Sequence, residues 1–346
     1  MISKDINAVD LGFDIIIVGA GAAGCVLARN LSKQFKVLLI DSKRFPRHKA
    51  CSGVLVSEAK EFFDDDLSEE VFLQPKQIDI EYVDVDNKLR NNTKKGFLNA
   101  NRFALDYFLF NSLKDNDNVT FIENTKMVEF SDAHDKKHKV VICESNGVIK
   151  PIITKYLVGC DGALSSIRKT LTNSNIRFYI GVQEFIKCNK EFDRAYFIFD
   201  SQITDFYSWI IPKKPYVEIG TLLDPYSSKE KFELLKEKLA KDFGITGSGK
   251  LDSALVLRPS SIKDIILGQG NIFLCGEAAG LISPSSAEGI SYALRSAKYC
   301  ADAFNSGKEP QKEYARNCKP MLERLDEKFK KSEIISDKSK RKVLFQ

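Results

Sequence analysis

Apolar and polar positions follow two different registers along this chain. Phe13–Val18, Lys36–Ile40, Lys155–Gly159 and Asn271–Cys275 contain short, nearly continuous apolar runs rich in β-branched residues. That is the pattern of parallel strands buried on both faces. Ile78–Val85, much of Phe178–Phe199, and Tyr216–Leu223 instead alternate at period two, as half-exposed strands do. Tyr207–Pro212 alternates too, with Tyr207, Trp209 and Ile211 on one face. Ala22–Gln34, Ala163–Lys169 and a segment opening near Ala287 read as helices, and Lys229–Phe243 as a charged amphipathic one. The registers interleave and predict an α/β protein. A parallel-sheet domain comprises residues 1–75, 101–175 and 263–305, and an antiparallel sheet comprises 76–100 and 176–262. Residues 306–346 are left as a C-terminal basic helix and tail. The charged stretches 131–139 and 189–194 read as loops.

The first apolar run leads straight into Gly19-Ala20-Gly21-Ala22-Ala23-Gly24. Gly19 permits a tight turn, Gly21 lets backbone approach a pyrophosphate, and Gly24 lets the next helix pack on the sheet. The helix N-terminus then points its N–H groups at the phosphates. Asp41 ends the second run, about 20 residues on, where a carboxylate accepts from a ribose diol. A glycine-rich turn without a ligand would leave this concordance unexplained. Gly244–Lys250 mimics a phosphate loop, but Leu251 occupies the Mg²⁺-binding Ser/Thr position and a helix precedes it, so it reads as a plain loop.

Two further turns follow buried runs: Gly159-Cys160-Asp161-Gly162 and Gly276-Glu277-Ala278-Ala279-Gly280. In this order the three segments resemble the flavoprotein superfamily of aromatic hydroxylases, flavin-dependent halogenases and geranylgeranyl reductases, over about residues 13–305. The resemblance implies FAD in a glutathione-reductase-type, Rossmann-like domain, with an interleaved antiparallel substrate sheet. It implies that the three segments hold the ADP half, the region near the pyrophosphate, and the ribityl chain. It also implies that Arg102, at a helix start, reaches the nucleotide. Pro284 would line the flavin face, and the helix start near Gly289 and Ile290 would face the pyrimidine edge. There its dipole stabilises a reduced anionic flavin by about 1 kcal/mol. Glu277 stands where the hydroxylases carry Asp, a departure that keeps the carboxylate on a longer arm.

Two stretches point within that superfamily to the geranylgeranyl reductases. Cys51-Ser52-Gly53 resembles their Cys-x-Gly segment; it follows Lys49 and a basic loop, Lys43–His48, that offers phosphate contacts. Cationic neighbours favour a thiolate, although Cys51 also reads as a small buried filler. Tyr207-Ser208-Trp209-Ile210-Ile211-Pro212 resembles the reductases' Tyr-x-Trp-x-x-Pro, whereas halogenases carry Trp in place of Tyr207. The expected activity is reduction of a carbon–carbon double bond in an apolar, isoprenoid-like substrate, with Cys51, Tyr207 and Trp209 at the reaction. The alternatives are a monooxygenase, a halogenase and a non-catalytic flavin protein. With a single dinucleotide fingerprint, electrons would come from transiently docked NAD(P)H or from ferredoxin.

Composition narrows the remainder. The chain has 346 residues, 43% of them hydrophobic, enough for a large core. Eight cysteines without a Cys-x-x-Cys pair and no apolar leader fit reduced thiols in the cytoplasm. Three scattered histidines give no metal site. A net charge of +5 is too small to imply nucleic acid. Residues 311–346 carry eleven Lys or Arg against six acids, equal to the whole excess. They read as a solvated helix face, or as a contact with an anionic membrane surface.

Overall fold

The computed structural model describes residues 3–63, 67–172 and 176–345. The buried runs pair in parallel. Ile272–Leu274, Val148–Gly159, Gly12–Val18, Val37–Ile40 and Val119–Ile122 lie side by side in that order. Ile15, Ile16 and Ile17 are wholly buried, as strands covered on both faces require. A hairpin, Thr125–Asp132 and Lys139–Ser145, extends the sheet antiparallel to Val148–Gly159. Its tip holds part of the charged stretch read as a loop; residues 131, 132 and 139 are strand. The first helix, Ala22–Asn30, ends short of Gln34 because Leu31 is extended. Asn305 and Asn118 side chains then hold the Ser32–Phe35 backbone in a turn. Ile290–Asn305 packs against this helix, and Pro310–Ser336 packs outside it.

The second sheet runs Lys250–Arg258, Arg177–Lys187, Tyr216–Leu223, Ser208–Lys213, Ala195–Phe199, Phe72–Asp84, Leu89–Ala100 and Val54–Leu55. Its neighbours are antiparallel except one pair: Ala195–Phe199 runs parallel to Phe72–Asp84. The sheet is therefore mixed, not purely antiparallel. The chain enters it twice, and the two visits meet at that pair. Its two faces do different work. One packs Ile210, Val217 and Ile219 against the helix Ser228–Phe243. The other turns Tyr179, Tyr207, Trp209 and Ile211 toward the first domain. Gly244, in a left-handed conformation with φ 72°, caps that helix, so the phosphate-loop look-alike is a helix stop.

The C-terminal region is ordered against the second sheet. Past Ser336 a short turn carries Arg341, only 1% exposed, between Asp84 (3.4 Å) and Asp86. The basic tail is thus not uniformly solvated. Among the described residues no helix is long and apolar enough to cross a membrane.

Candidate functional site

Val18, Ile40, Gly159 and Leu274 end four parallel strands at one edge, and ligands of open α/β sheets bind outside such carboxyl ends. There a cavity of about 1140 Å³ runs from the glycine turn to the aromatic face of the second sheet. A pocket for one drug-sized ligand measures roughly 300–1,000 Å³, so this space suits a dinucleotide with a second molecule beside it.

The cofactor end is built from glycines. Gly19 has φ 100°, and a Cβ on it would stand 2.5 Å from the Cys160 carbonyl oxygen. A Cβ on Gly24 would stand 1.8 Å from the Gly19 carbonyl, so helix and turn touch through bare backbone. Gly21, Ala22 and Ala23 line the cavity, and no side chain caps the helix they open. Its first N–H groups are therefore left for an anion. Ala20 lies behind; its N–H donates to Asp41 Oδ2 at 2.9 Å, while Asp41 Oδ1 accepts from Lys43 N–H at 2.8 Å.

A buried charge cluster sits next to the cradle. Asp106 is 2.9 Å from Arg102 and 3.4 Å from Arg47, and Arg47 reaches Asp41 at 3.5 Å. Arg47, Arg102 and Lys49 all line the cavity. Burial raises the Asp106 carboxyl, but Arg102, Arg47 and Lys49 outweigh it and hold the group below the usual range. Burial likewise pulls on Arg102, and Asp106 and Cys51 more than compensate, holding its guanidinium above its ordinary value. Cys51 is half-buried and within hydrogen-bond reach of Arg102; its Sγ also accepts from Gly53 N–H at 3.4 Å.

Asp161 and Gly162 line the same space. Asp161 Oδ2 accepts from Ser166 N–H at 3.0 Å, and Oδ1 is buried without a partner among the described residues. Burial pushes this carboxyl up, against Ser165 and Ser166. Gly276 and Glu277 line the wall; Glu277 Oε1 accepts from Leu257 N–H at 3.0 Å. The late helix begins at Ile290, three residues after the expected start, because Ala287 takes φ 49° and turns the chain. Gly289 and Ile290 reach the cavity. Pro284 does not line it; its neighbours Ser283 and Ser285 do, and Ser332 of the C-terminal helix donates to the Pro284 carbonyl at 3.0 Å.

At the far end Tyr207, Trp209 and Ile211 share one strand face, joined by Tyr82, Phe97, Phe197, Phe199 and Phe206. Tyr207 stacks on Phe206 at 4.5 Å, and its hydroxyl donates to the Ser286 carbonyl at 2.8 Å. Trp209 Nε1 donates to Glu218 at 2.9 Å, and Glu218 lies 4.0 Å from Lys213. The indole needs Gly220 bare: a Cβ there would stand 2.4 Å from the ring.

Sequence reasoning missed Asp106, Lys213, Glu218, Gly220 and Glu288. Glu288 lines the cavity at the late helix start; burial, with Glu58 nearby, raises its carboxyl. The usable signal was position: Asp106 lies one helical turn past Arg102, and Lys213 directly follows the Tyr-x-Trp-x-x-Pro segment. No cluster that could hold a metal occurs among the described residues.

The glycine cradle, uncapped helix, unpaired Asp161 oxygen and cationic wall fit FAD, and the fold and site define an FAD-dependent oxidoreductase. The chain belongs to the FAD binding domain family, whose model matches residues 12–194. It is 34% identical to Protein CbrA of Escherichia coli O6:H1, over 96% of this chain and 93% of that one. The fold is shared with a geranylgeranyl bacteriochlorophyll reductase-like protein of Thermoplasma acidophilum: TM-score 0.82, 16% identity, 96% and 90% of the two chains. It is also shared with p-nitrophenol 4-monooxygenase PnpA of Pseudomonas putida DLL-E4: TM-score 0.75, 16% identity, 96% and 92% coverage.

Proposed function

We propose that the protein reduces a carbon–carbon double bond in an apolar, isoprenoid-like substrate. The observation that carries this reading is the lining of one cavity by Cys51, the aromatic wall and the FAD cradle. Saturating a double bond takes a hydride and a proton; bound FAD, once reduced, would supply the hydride, which carries both electrons. This chain orients the substrate and delivers a proton. Tyr207 and Trp209 form an apolar wall, and both polar atoms are already engaged, by Ser286 and Glu218. Burial pushes the Tyr207 hydroxyl up, so it stays protonated and holds Ser286. Cys51, half-buried beside Arg102, is the proposed proton donor.

Reduced enzyme, mixed anaerobically with farnesol, should yield product two hydrogens heavier by mass spectrometry. Product carrying an added oxygen atom under air, with tight coupling to NAD(P)H oxidation, would establish the monooxygenase reading instead. Cys51→Ala should retain FAD and lose roughly 10²–10⁴-fold in turnover, the range for a general acid. Full activity would return Cys51 to a packing role and move the proton to Glu288. Asp41 is proposed to hold the ribose, so Asp41→Ala should shed FAD on gel filtration. Unchanged flavin content would refute that assignment.

A further inference from the structure

Three thiols meet on one side of the parallel sheet, behind the glycine cradle. Cys160 and Cys275 leave two neighbouring parallel strands at the same level: Leu274 pairs with Gly159, and Cys275 N–H donates to the Gly159 carbonyl at 2.9 Å. Neighbouring strands lie about 4.8 Å apart, and residues at one level point to the same face. That spacing falls within the Cα separation of roughly 4.4–6.8 Å that a disulfide spans. The two side chains are hydrogen-bonded to each other, and Cys275 is also bonded to Cys300 of the late helix. Tyr314 of the C-terminal helix donates to Cys275 Sγ at 3.5 Å, a bond that favours a thiolate there. All eight cysteines are free thiols. Cys160 and Cys275 both line the cavity, Cys160 partly exposed and Cys275 nearly inaccessible, while Cys300 is wholly buried. A small oxidant in the cofactor space therefore meets Cys160 first.

We propose that Cys160 and Cys275 are a redox-sensitive pair whose oxidation to a disulfide weakens FAD binding. The oxidant is hydrogen peroxide, which dioxygen becomes on taking two electrons and two protons from a reduced flavin. Cys160 Sγ attacks one peroxide oxygen, the O–O bond breaks, and the other oxygen leaves as water with the thiol proton. Cys275 Sγ then attacks the resulting sulfenic acid, the S–S bond forms, and a second water leaves. In sum, two thiols lose two electrons and two protons, and one peroxide becomes two waters. The hydrogen bond to Cys275, together with burial, pushes the Cys160 thiol above the usual thiol range. That slows attack on dilute external peroxide, so the pair responds to peroxide released inside the cavity. The effect on FAD follows from contact. A Cβ on Gly19 would stand 2.5 Å from the Cys160 carbonyl oxygen, and Cys275 leads directly into Gly276, which takes φ 60°. A covalent bond holds two sulfurs closer than a hydrogen bond does. Closing it draws both cofactor turns together, and at Gly19 there is no slack to absorb the movement. The inference rests on FAD binding and not on the double-bond reading, since no substrate takes part.

The test treats FAD-loaded protein with hydrogen peroxide, then stops the reaction with catalase. Free thiols counted in denaturant should fall by two from eight. Peptide mass spectrometry without reductant should find Cys160 linked to Cys275, the pair two hydrogens lighter than its separate parts. The oxidised protein should bind FAD at least about tenfold more weakly than the reduced protein, and dithiothreitol should restore it. In Cys160→Ala, and separately in Cys275→Ala, peroxide should leave the FAD affinity of that same variant unchanged. A disulfide elsewhere, or oxidation confined to Cys51, would overturn the proposal. So would a Cys160–Cys275 disulfide without a change in FAD affinity, or peroxide-driven FAD loss that persists in Cys160→Ala. Reduced protein that takes up no FAD would overturn the cofactor assignment itself.

Discussion

Asp106→Asn should destabilise the FAD-free protein by about 3–5 kcal/mol, the usual result of removing one partner of a buried charge cluster. Its carboxylate is 2% exposed and faces two guanidinium groups, Arg102 at 2.9 Å and Arg47 at 3.4 Å. An amide there can accept one hydrogen bond but cannot offset two buried positive charges. Both arginines line the cofactor end of the cavity. A bound pyrophosphate therefore restores part of the lost compensation, and the FAD-loaded variant should lose less. The rise in melting temperature on adding FAD is thus expected to be larger for Asp106→Asn than for the unmodified protein. An equal rise would mean that Arg47 and Arg102 do not face the phosphates. The pH dependence has a definite sign. The Asp106 carboxyl is held below its ordinary value of 3.8, so its stabilisation is complete above that value. It is lost as pH falls through the lower folded-state value. The stability gap between variant and unmodified protein should therefore close only in acid, below about pH 4.

The strand-turn-helix at Gly19–Gly24 was legible because every constraint in it is local. A residue that must be bare, an apolar run and an acid one strand later all follow from adjacent backbone. The late helix was legible in kind but not in boundary, since no pattern announces the left-handed Ala287 that delays it to Ile290. The shared face of Tyr207, Trp209 and Ile211 followed from period two alone. The parallel pairing of Ala195–Phe199 with Phe72–Asp84 did not, because it joins strands over a hundred residues apart. Charged residues gave the poorest reading. Composition alone cannot separate Lys330, paired on the surface, from Lys213, buried below the cavity. The distinction comes from which helix or strand covers each one. Arg341 shows the same limit: a charge run reads as solvated until Asp84 and Asp86 are found across the fold.

Lys213→Met is the second variant with a large expected effect, again about 3–5 kcal/mol of stability. Lys213 Nζ donates to Asn99 Oδ1 at 2.6 Å and to the Ser52 carbonyl at 2.5 Å, and lies 4.0 Å from Glu218. Both charged side chains are nearly inaccessible, and among the described residues Glu218 Oε2 has no hydrogen-bond partner. Burial pulls the lysine down and pushes the glutamate up, so neither charge is comfortable without the other. Methionine would fill the space of the stem and leave Glu218 alone. Adding Glu218→Gln removes that charge while its amide oxygen still accepts from Trp209 Nε1. The double variant should recover most of the loss in urea unfolding, and Trp209 emission should return toward that of the unmodified protein. The Ser52 carbonyl remains unanchored in both variants, so the Cys51 turn should stay altered even where stability returns. Turnover should then remain low in the double variant although folding is restored. Recovery of both together would mean that Lys213 serves only to neutralise Glu218. Recovery of neither would place the stabilisation in the bonds to Ser52 and Asn99 instead of in the charge pair.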